Sequence, residues 1–203
     1  MEFVHFDSEK TPFRLQRSHL RFPLPLKVPR GFRVDQPSSW PSVEGRLEFV
    51  QGELRYMPPC ADYQQDVAAT VVGLLWKWVA KHSEFIVAAN EAGMMLGGEA
   101  RGADAAVWRK QEAGTHRGTF RRVPPILAVE VAGEDEGEGS LREKAAWYIS
   151  HGVRYVWLLF PRTRTALVLT ADGEQRLKGR SRFAAAPELP GLRLTAQSLF
   201  SQL

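Results

Sequence analysis

The sequence predicts one α/β domain, a mixed sheet covered by helices, and three observations carry that prediction. Ile126 to Ala132 is a near-continuous apolar run, as a central strand buried on both faces requires. Segments 62–81 and 140–151 repeat apolar residues at three- and four-residue spacing, the period of a helix lying on a core. The order along the chain is helix, strands, helix, strand, which places helices over a sheet rather than apart from it.

Residues 1–43 are rich in Pro, Arg and aromatics and read as an extended, basic arm ahead of a domain over residues 44–203. Such an arm can pack on a neighbouring subunit. Gly45 to Tyr56 reads as a hairpin turning at Gln51-Gly52 and closed by Pro58-Pro59. Asp62 to Lys81 follows as a helix, with Asp62 as its N-cap and Val67, Val71, Leu74, Leu75 and Trp78 as its buried stripe. Trp76 and Trp78, both mid-helix, read as packing residues. Strands are expected at Phe85–Ala89, Gly93–Leu96 and Ala103–Trp108, and the polar stretch Lys110–Val123 as a loop. After the 126–132 strand, Ser140 and Glu143 have the spacing of a capping box for a helix that stops at His151-Gly152. Strands at Val153–Phe160 and Thr165–Thr170 and a short helix over 194–203 complete the chain.

A chain of 203 residues favours a single domain. It can bury roughly 70% of its unfolded surface without disulfides. Its one cysteine, Cys60, can form no internal bridge, and no Cys/His cluster has zinc spacing, so a reducing compartment is expected. The first thirty residues hold no apolar run of signal-peptide length, and no run approaches a membrane span. The expected location is cytoplasmic. A net charge of +4 permits an anionic partner without demanding one. Its distribution says more. Lys10, Arg14, Arg17, Arg21, Lys27, Arg30 and Arg33 run without an intervening acid. Further basic groups lie at Arg109, Lys110, Arg117, Arg121 and Arg122 and at Arg176, Lys178, Arg180 and Arg182. Each patch fits phosphate binding or a solvated surface equally well.

Glu130 stands inside the most apolar strand. A buried carboxylate must be paired, protonated, metal-bound or set at an exposed strand end. Leu141, Ala145, Tyr148 and Ile149 line the inward stripe of the 140–151 helix, and Lys144 falls beside Tyr148 on the wheel. A lysine there can form a plain salt bridge, or hold a phosphate or an attacking water. Asp104 opens another strand among small residues that leave room for a ligand, although an aspartate after Arg101-Gly102 is also ordinary turn chemistry. Two carboxylates and an ammonium group suit phosphodiester hydrolysis. Mg²⁺ takes oxygen ligands, often only one or two carboxylates, and a lysine beside it can orient water or offset developing charge. An Asp, a Glu and a Lys co-occur by chance in most proteins; the buried strand and the facing helix single these three out. The histidines offer no catalytic pair. His151 sits at a helix C-terminus, where a cation is favourable anyway, and His116 lies in a loop. There is no Gly-rich phosphate loop and no nucleophile elbow.

A longer series now becomes visible: Glu48-Phe49-Val50-Gln51-Gly52-Glu53-Leu54 before Met57-Pro58-Pro59, then Ala103-Asp104-Ala105-Ala106-Val107, then Val129-Glu130-Val131. Leu141-Arg142-Glu143-Lys144, Tyr148, His151-Gly152-Val153 and Tyr155-Val156-Trp157 continue it. In order and spacing this resembles the Uma family of restriction endonucleases, abundant in cyanobacteria, within the PD-(D/E)XK nuclease superfamily. The resemblance covers roughly residues 44–200. It implies a restriction-endonuclease-like core with a central mixed sheet, the family's aspartate at Asp104 and its strand glutamate at Glu130. The lysine expected two residues after the glutamate is absent, since Ala132 stands there, and Lys144 on the next helix matches it instead. Ala103 replaces the usual proline, and Tyr63 or Gln64 stands where relatives carry histidine. Glu53 matches an acidic position as a candidate peripheral site residue, and Glu48 another as a structural one.

The resemblance further implies a Mg²⁺-dependent endonuclease, with Mn²⁺ able to substitute. It would act on nucleic acid, DNA in the first instance, by direct attack of water. A homo-oligomer is expected. The competing expectation is a catalytically silent nucleic-acid-binding or oligomeric interaction module on the same fold.

Overall fold

The computed structural model describes residues 22–115, 118–134 and 136–203. Arg117 and His116, singled out above, and the arm's basic residues from Lys10 to Arg21 lie outside them. The elements are β1 (Leu24–Leu26), β2 (Arg46–Val50), β3 (Glu53–Met57), α1 (Asp62–Val79), β4 (Phe85–Leu96) and β5 (Glu99–Arg109). They continue with α2 (Lys110–Ala113), β6 (Leu127–Val131), α3 (Glu138–Ser150), β7 (Tyr155–Phe160), β8 (Thr165–Thr170), β9 (Gly173–Lys178) and α4 (Ala196–Leu199).

The strands form one mixed sheet in the order β1-β3-β2-β5-β6-β7-β8-β9, with β4 also paired to β5. Among the named strands of the described residues, β6 and β7 alone run parallel, joined by α3 as the crossover that parallel neighbours need. α1 covers one face of the sheet and α3 the other. Val67, Val71, Leu75 and Trp78 of α1 pack on Ala105, Val107, Leu127, Val129 and Val131, with α4 alongside. Leu141, Ala145 and Tyr148 of α3 pack on Ala106, Ala128, Val156 and Leu158. The period of two thus sends Val129 and Val131 toward α1, and Ala128, Glu130 and Ala132 toward α3.

The pairing leaves a notch. β4 takes one edge of β5 along its length, from Phe85↔Arg109 to Leu96↔Glu99. The opposite edge is divided. β2 meets it at Phe49↔Ala100, and β6 meets it from Ala105↔Val129 to Val107↔Leu127. Residues 101–104 of β5 therefore face a gap between β2 and β6, and Asp104 stands at its end.

Several local expectations are corrected. The two strands expected over 85–96 are one strand with a bulge. Ala61, not Asp62, caps α1; Asp62 already has helical geometry and its Oδ1 accepts from Tyr63 N at 2.6 Å. α3 begins at Glu138 with Gly137 as its cap, and the Ser140 hydroxyl donates to Gly137 O instead of capping. Trp76 is 64% exposed and packs on no core, because it lies opposite the Val71–Leu75–Trp78 stripe. The 110–123 stretch contains the short helix α2. The final helix is a single turn, held by a capping box between Thr195 and Ser198. The arm's Leu24–Leu26 adds a strand to the sheet through β3.

Candidate active site

Glu130 is only 2% exposed, in a strand buried throughout. Both of its oxygens are nevertheless engaged. Oε1 accepts from Tyr148 OH at 2.7 Å and Oε2 lies 3.0 Å from Lys144 Nζ. Ala128 and Ala132 flank Glu130 on the same face, leaving room for these contacts. Lys144 and Tyr148 are one turn apart on α3, so the helix presents both to the strand glutamate.

Lys144 has two further partners: Glu48 Oε1 at 2.7 Å and Gly102 O at 2.8 Å. An ammonium group has three donors, and all three are used. Glu48, read from sequence as structural, is buried here on β2. Its Oε2 lies 3.6 Å from Arg101 Nη1, and its Oε1 also accepts from Gly102 N at 3.3 Å. The notch in β5 makes this possible. Gly102 sits where neither β2 nor β6 pairs, so its N–H and C=O turn to the side chains of Glu48 and Lys144.

Asp104 occupies the other end of the notch. Oδ2 accepts from Val131 N at 2.7 Å, and Oδ1 lies 3.1 Å from Arg46 Nη1. Arg46 Nη1 is also 3.3 Å from Glu91 Oε1. Beside Glu130, the Val131 carbonyl accepts from Gln64 Nε2 at 2.9 Å, which brings the start of α1 to the strand end. Gly133 N donates to Glu136 Oε2 at 2.9 Å.

One ammonium shared by two acids sets the charge states. Burial pushes Glu130 up to about 8: with the nearby Asp104 and Glu48 carboxylates it outweighs the pull of Lys144 and the Tyr148 hydrogen bond. Burial also opposes the Glu48 charge, but Lys144 and Arg101 together hold that carboxyl below its ordinary value. Lys144 stays charged despite its burial because Glu130 and Glu48 flank it. Burial raises Glu91 and Glu136 as well. Around the notch, five carboxyls (Glu48, Glu91, Asp104, Glu130 and Glu136) face three cations (Arg46, Arg101 and Lys144); with Glu130 holding its proton below about pH 8, the other four acids still outnumber the cations by one. That excess, and the oxygen-only donor set, fit a hard divalent cation. Among the described residues no three His, Cys, Asp or Glu side chains converge closely enough to hold one alone. A cation would therefore rest on two carboxylates, with water and substrate supplying the remainder, the way Mg²⁺ is commonly held.

Two small hollows adjoin the cluster. One, of about 50 Å³, touches Glu48, Arg101 and Lys144; the other, of about 80 Å³, touches Arg46, Gln64 and Gly133. Met57 and Glu136 line both, and Phe22 and Pro23 of the arm wall them. Each holds water but not a nucleotide.

The structure thus joins Glu130 directly to Lys144, and sets Asp104 on the neighbouring strand bonded to the residue after Glu130. Glu53 stands at the hairpin turn and makes no hydrogen bond or ion pair with the three. Arg46, Glu91 and Tyr148 were not anticipated as site residues. Tyr148 had a signal, sharing the inward stripe with Lys144. His151 packs at a tilt against Trp147 and engages its carbonyl through Nδ1.

A split mixed sheet between helices, with clustered acids at the split, defines a restriction-endonuclease-like domain. A family model described as "Uma2: Putative restriction endonuclease" matches residues 34–197, so the chain belongs to the Uma2 family. Among solved structures it is similar to a "putative nuclease belonging to DUF820" from Anabaena variabilis. The TM-score is 0.71 at 16% identity, over 81% of this chain and 94% of that one. At that identity the likeness speaks for the fold. No curated protein matches the chain.

Proposed function

We propose that this protein is a metal-dependent endonuclease that hydrolyses phosphodiester bonds of nucleic acid, with DNA as the first substrate to test. One observation carries the reading: Glu130 and Lys144 meet at 3.0 Å from separate elements, beside Asp104, in a buried cluster with more acids than cations. Membership of the Uma2 family supports it.

Asp104 and Glu130 would hold Mg²⁺, or Mn²⁺ in its place. The bound ion would supply an activated water and offset charge on the phosphate. The chain's own residues do the rest. Lys144 keeps Glu130 oriented and adds a fixed positive charge beside the reacting phosphate. Tyr148 fixes the other Glu130 oxygen, and Val131 N fixes one oxygen of Asp104. Because the three donors of Lys144 are all engaged, one must be released before it can contact a substrate oxygen or water. The small hollows require the wall of Phe22, Pro23, Met57 and Glu136 to part for substrate. Arg30, exposed on the described part of the arm, is a candidate phosphate contact. No helix among the described residues is long and apolar enough to cross a membrane.

The saturated, nearly closed ion network also favours a second reading, a catalytically silent nucleic-acid-binding or oligomeric module. Plasmid incubation with Mg²⁺ or Mn²⁺ separates the two. The enzyme reading expects nicking that disappears in Asp104→Ala and Lys144→Ala. Salt-dependent DNA retention without cleavage would establish the silent module instead. The homo-oligomer expectation is checked on the same sample by light scattering.

A further inference from the structure

The bulge in β4 faces Asp104. Ala89 pairs with Ala105 and Ala92 with Ala103, so Asn90 and Glu91 together oppose the single residue Asp104. Both bulge residues are left-handed, Asn90 at φ 56° and Glu91 at φ 62°. Two consecutive non-glycine residues in that region store strain, and strain of this kind collects at functional sites. What it achieves is visible. Glu91 lies over Gly102, where a Cβ would come within 3.1 Å of Glu91 Oε2 and 3.3 Å of its Cβ. From there Glu91 Oε1 reaches Arg46 at 3.3 Å, and the same Arg46 nitrogen lies 3.1 Å from Asp104 Oδ1. Arg46 is 11% exposed and its Nε has no partner. Hence the guanidinium has few other acceptors, and one Nη is divided between two carboxylates.

We propose that Arg46 restrains the site by occupying Asp104, and that Glu91 is a positioning residue that draws Arg46 off it. The pair would then set how tightly the notch takes a divalent cation. This rests on the metal-site reading above. A guanidinium on Oδ1 competes with a cation for that oxygen and repels it by charge. Glu91, with a side chain 40% exposed, offsets that charge from the rim of the notch. The bulge is what places a carboxylate there, since regular pairing would bring one β4 residue, not two, opposite Asp104.

The test is Mn²⁺ affinity, read by the free-ion electron paramagnetic resonance signal, together with plasmid nicking. Wild type is expected to bind Mn²⁺. Glu91→Gln, which keeps the shape and removes the charge, should weaken binding about tenfold. Arg46→Gln should tighten it by a similar factor, and the double variant combining Glu91→Gln with Arg46→Gln should bind as Arg46→Gln does. Arg46→Lys keeps the charge in place and should stay close to wild type, which separates charge from folding damage. Melting curves accompany each variant. If wild type binds Mn²⁺ and nicks DNA while Glu91→Gln binds unchanged, the proposal is overturned and the nuclease reading stands. If Glu91→Gln weakens binding equally in the Arg46→Gln background, Glu91 acts on the ion directly and the positioning role is overturned. If wild type binds no Mn²⁺ and nicks nothing, the nuclease reading fails and takes this inference with it.

Discussion

The two faces of the sheet make opposite use of the same strands. Toward α1, Val129 and Val131 of β6 and Ala105 and Val107 of β5 meet Val67, Val71 and Leu75 with no charged side chain between them. Toward α3, the alternate positions hold Glu130 and Asp104, tied to Lys144, Tyr148 and Arg46. Burial is as deep on the α3 face as on the α1 face, with Glu130 and Val129 both essentially inaccessible. The difference is reciprocity. An apolar contact survives the loss of one partner with a cavity, whereas a buried charge that loses its partner is left uncompensated.

That contrast can be tested from its strongest consequence downward. Lys144→Ala leaves Glu130 and Glu48 without their shared cation. It should cost about 3–5 kcal/mol in denaturant unfolding and abolish nicking. Leu75→Ala, on the opposite face, should cost about 2–5 kcal/mol and leave Mn²⁺ affinity unchanged; a shifted affinity would mean the two faces are coupled.

Glu130→Gln sharpens the comparison through pH. The folded carboxyl is raised to about 8 from an ordinary 4.5, so the native state holds a proton that the unfolded chain has released. Stability from this group is therefore fully present below about 4.5 and lost as pH rises toward about 8, with a slope of at most about 1.4 kcal/mol per pH unit. The glutamine variant should lose that slope, and unfolding midpoints across the window measure it. Tyr148→Phe is the smallest change. It removes one hydrogen bond to Glu130, should cost about 1.5 kcal/mol, and should move the slope to still higher pH, since that bond favours the ionised form.

What the sequence disclosed follows the same division. The run from Ile126 to Ala132 announced a buried strand, and a carboxylate within it demanded a partner. The wheel position of Lys144, beside Tyr148, supplied one. Arg46 and Glu91 carried no such signal. Arg46 lies 58 residues from Asp104 along the chain, in a hairpin that reads normally without it. The Asn90–Glu91 bulge looked like a break between two strands: asparagine tolerates left-handed backbone, but glutamate there carries no sequence signal and Asn alone marks a turn as readily as a bulge. The partner of Glu48 was equally hidden. Its partner Lys144 is engaged only because the β5 edge is divided, and a divided edge is a matter of register.

The seam at that divided edge has a consequence for how the molecule comes apart. Strands β1, β2 and β3 form a small flap whose only residue-to-residue register with the rest of the sheet, among the described residues, is Phe49↔Ala100. Arg46 and Glu48 ride on this flap, while Asp104, Glu130 and Lys144 belong to the body. Peeling the flap would withdraw two ionic partners at once without disturbing the apolar layer beneath α1. Amide exchange should therefore reach β2 and β3 before β6 and β7, so that the chemistry of the notch dissolves while the body is still folded.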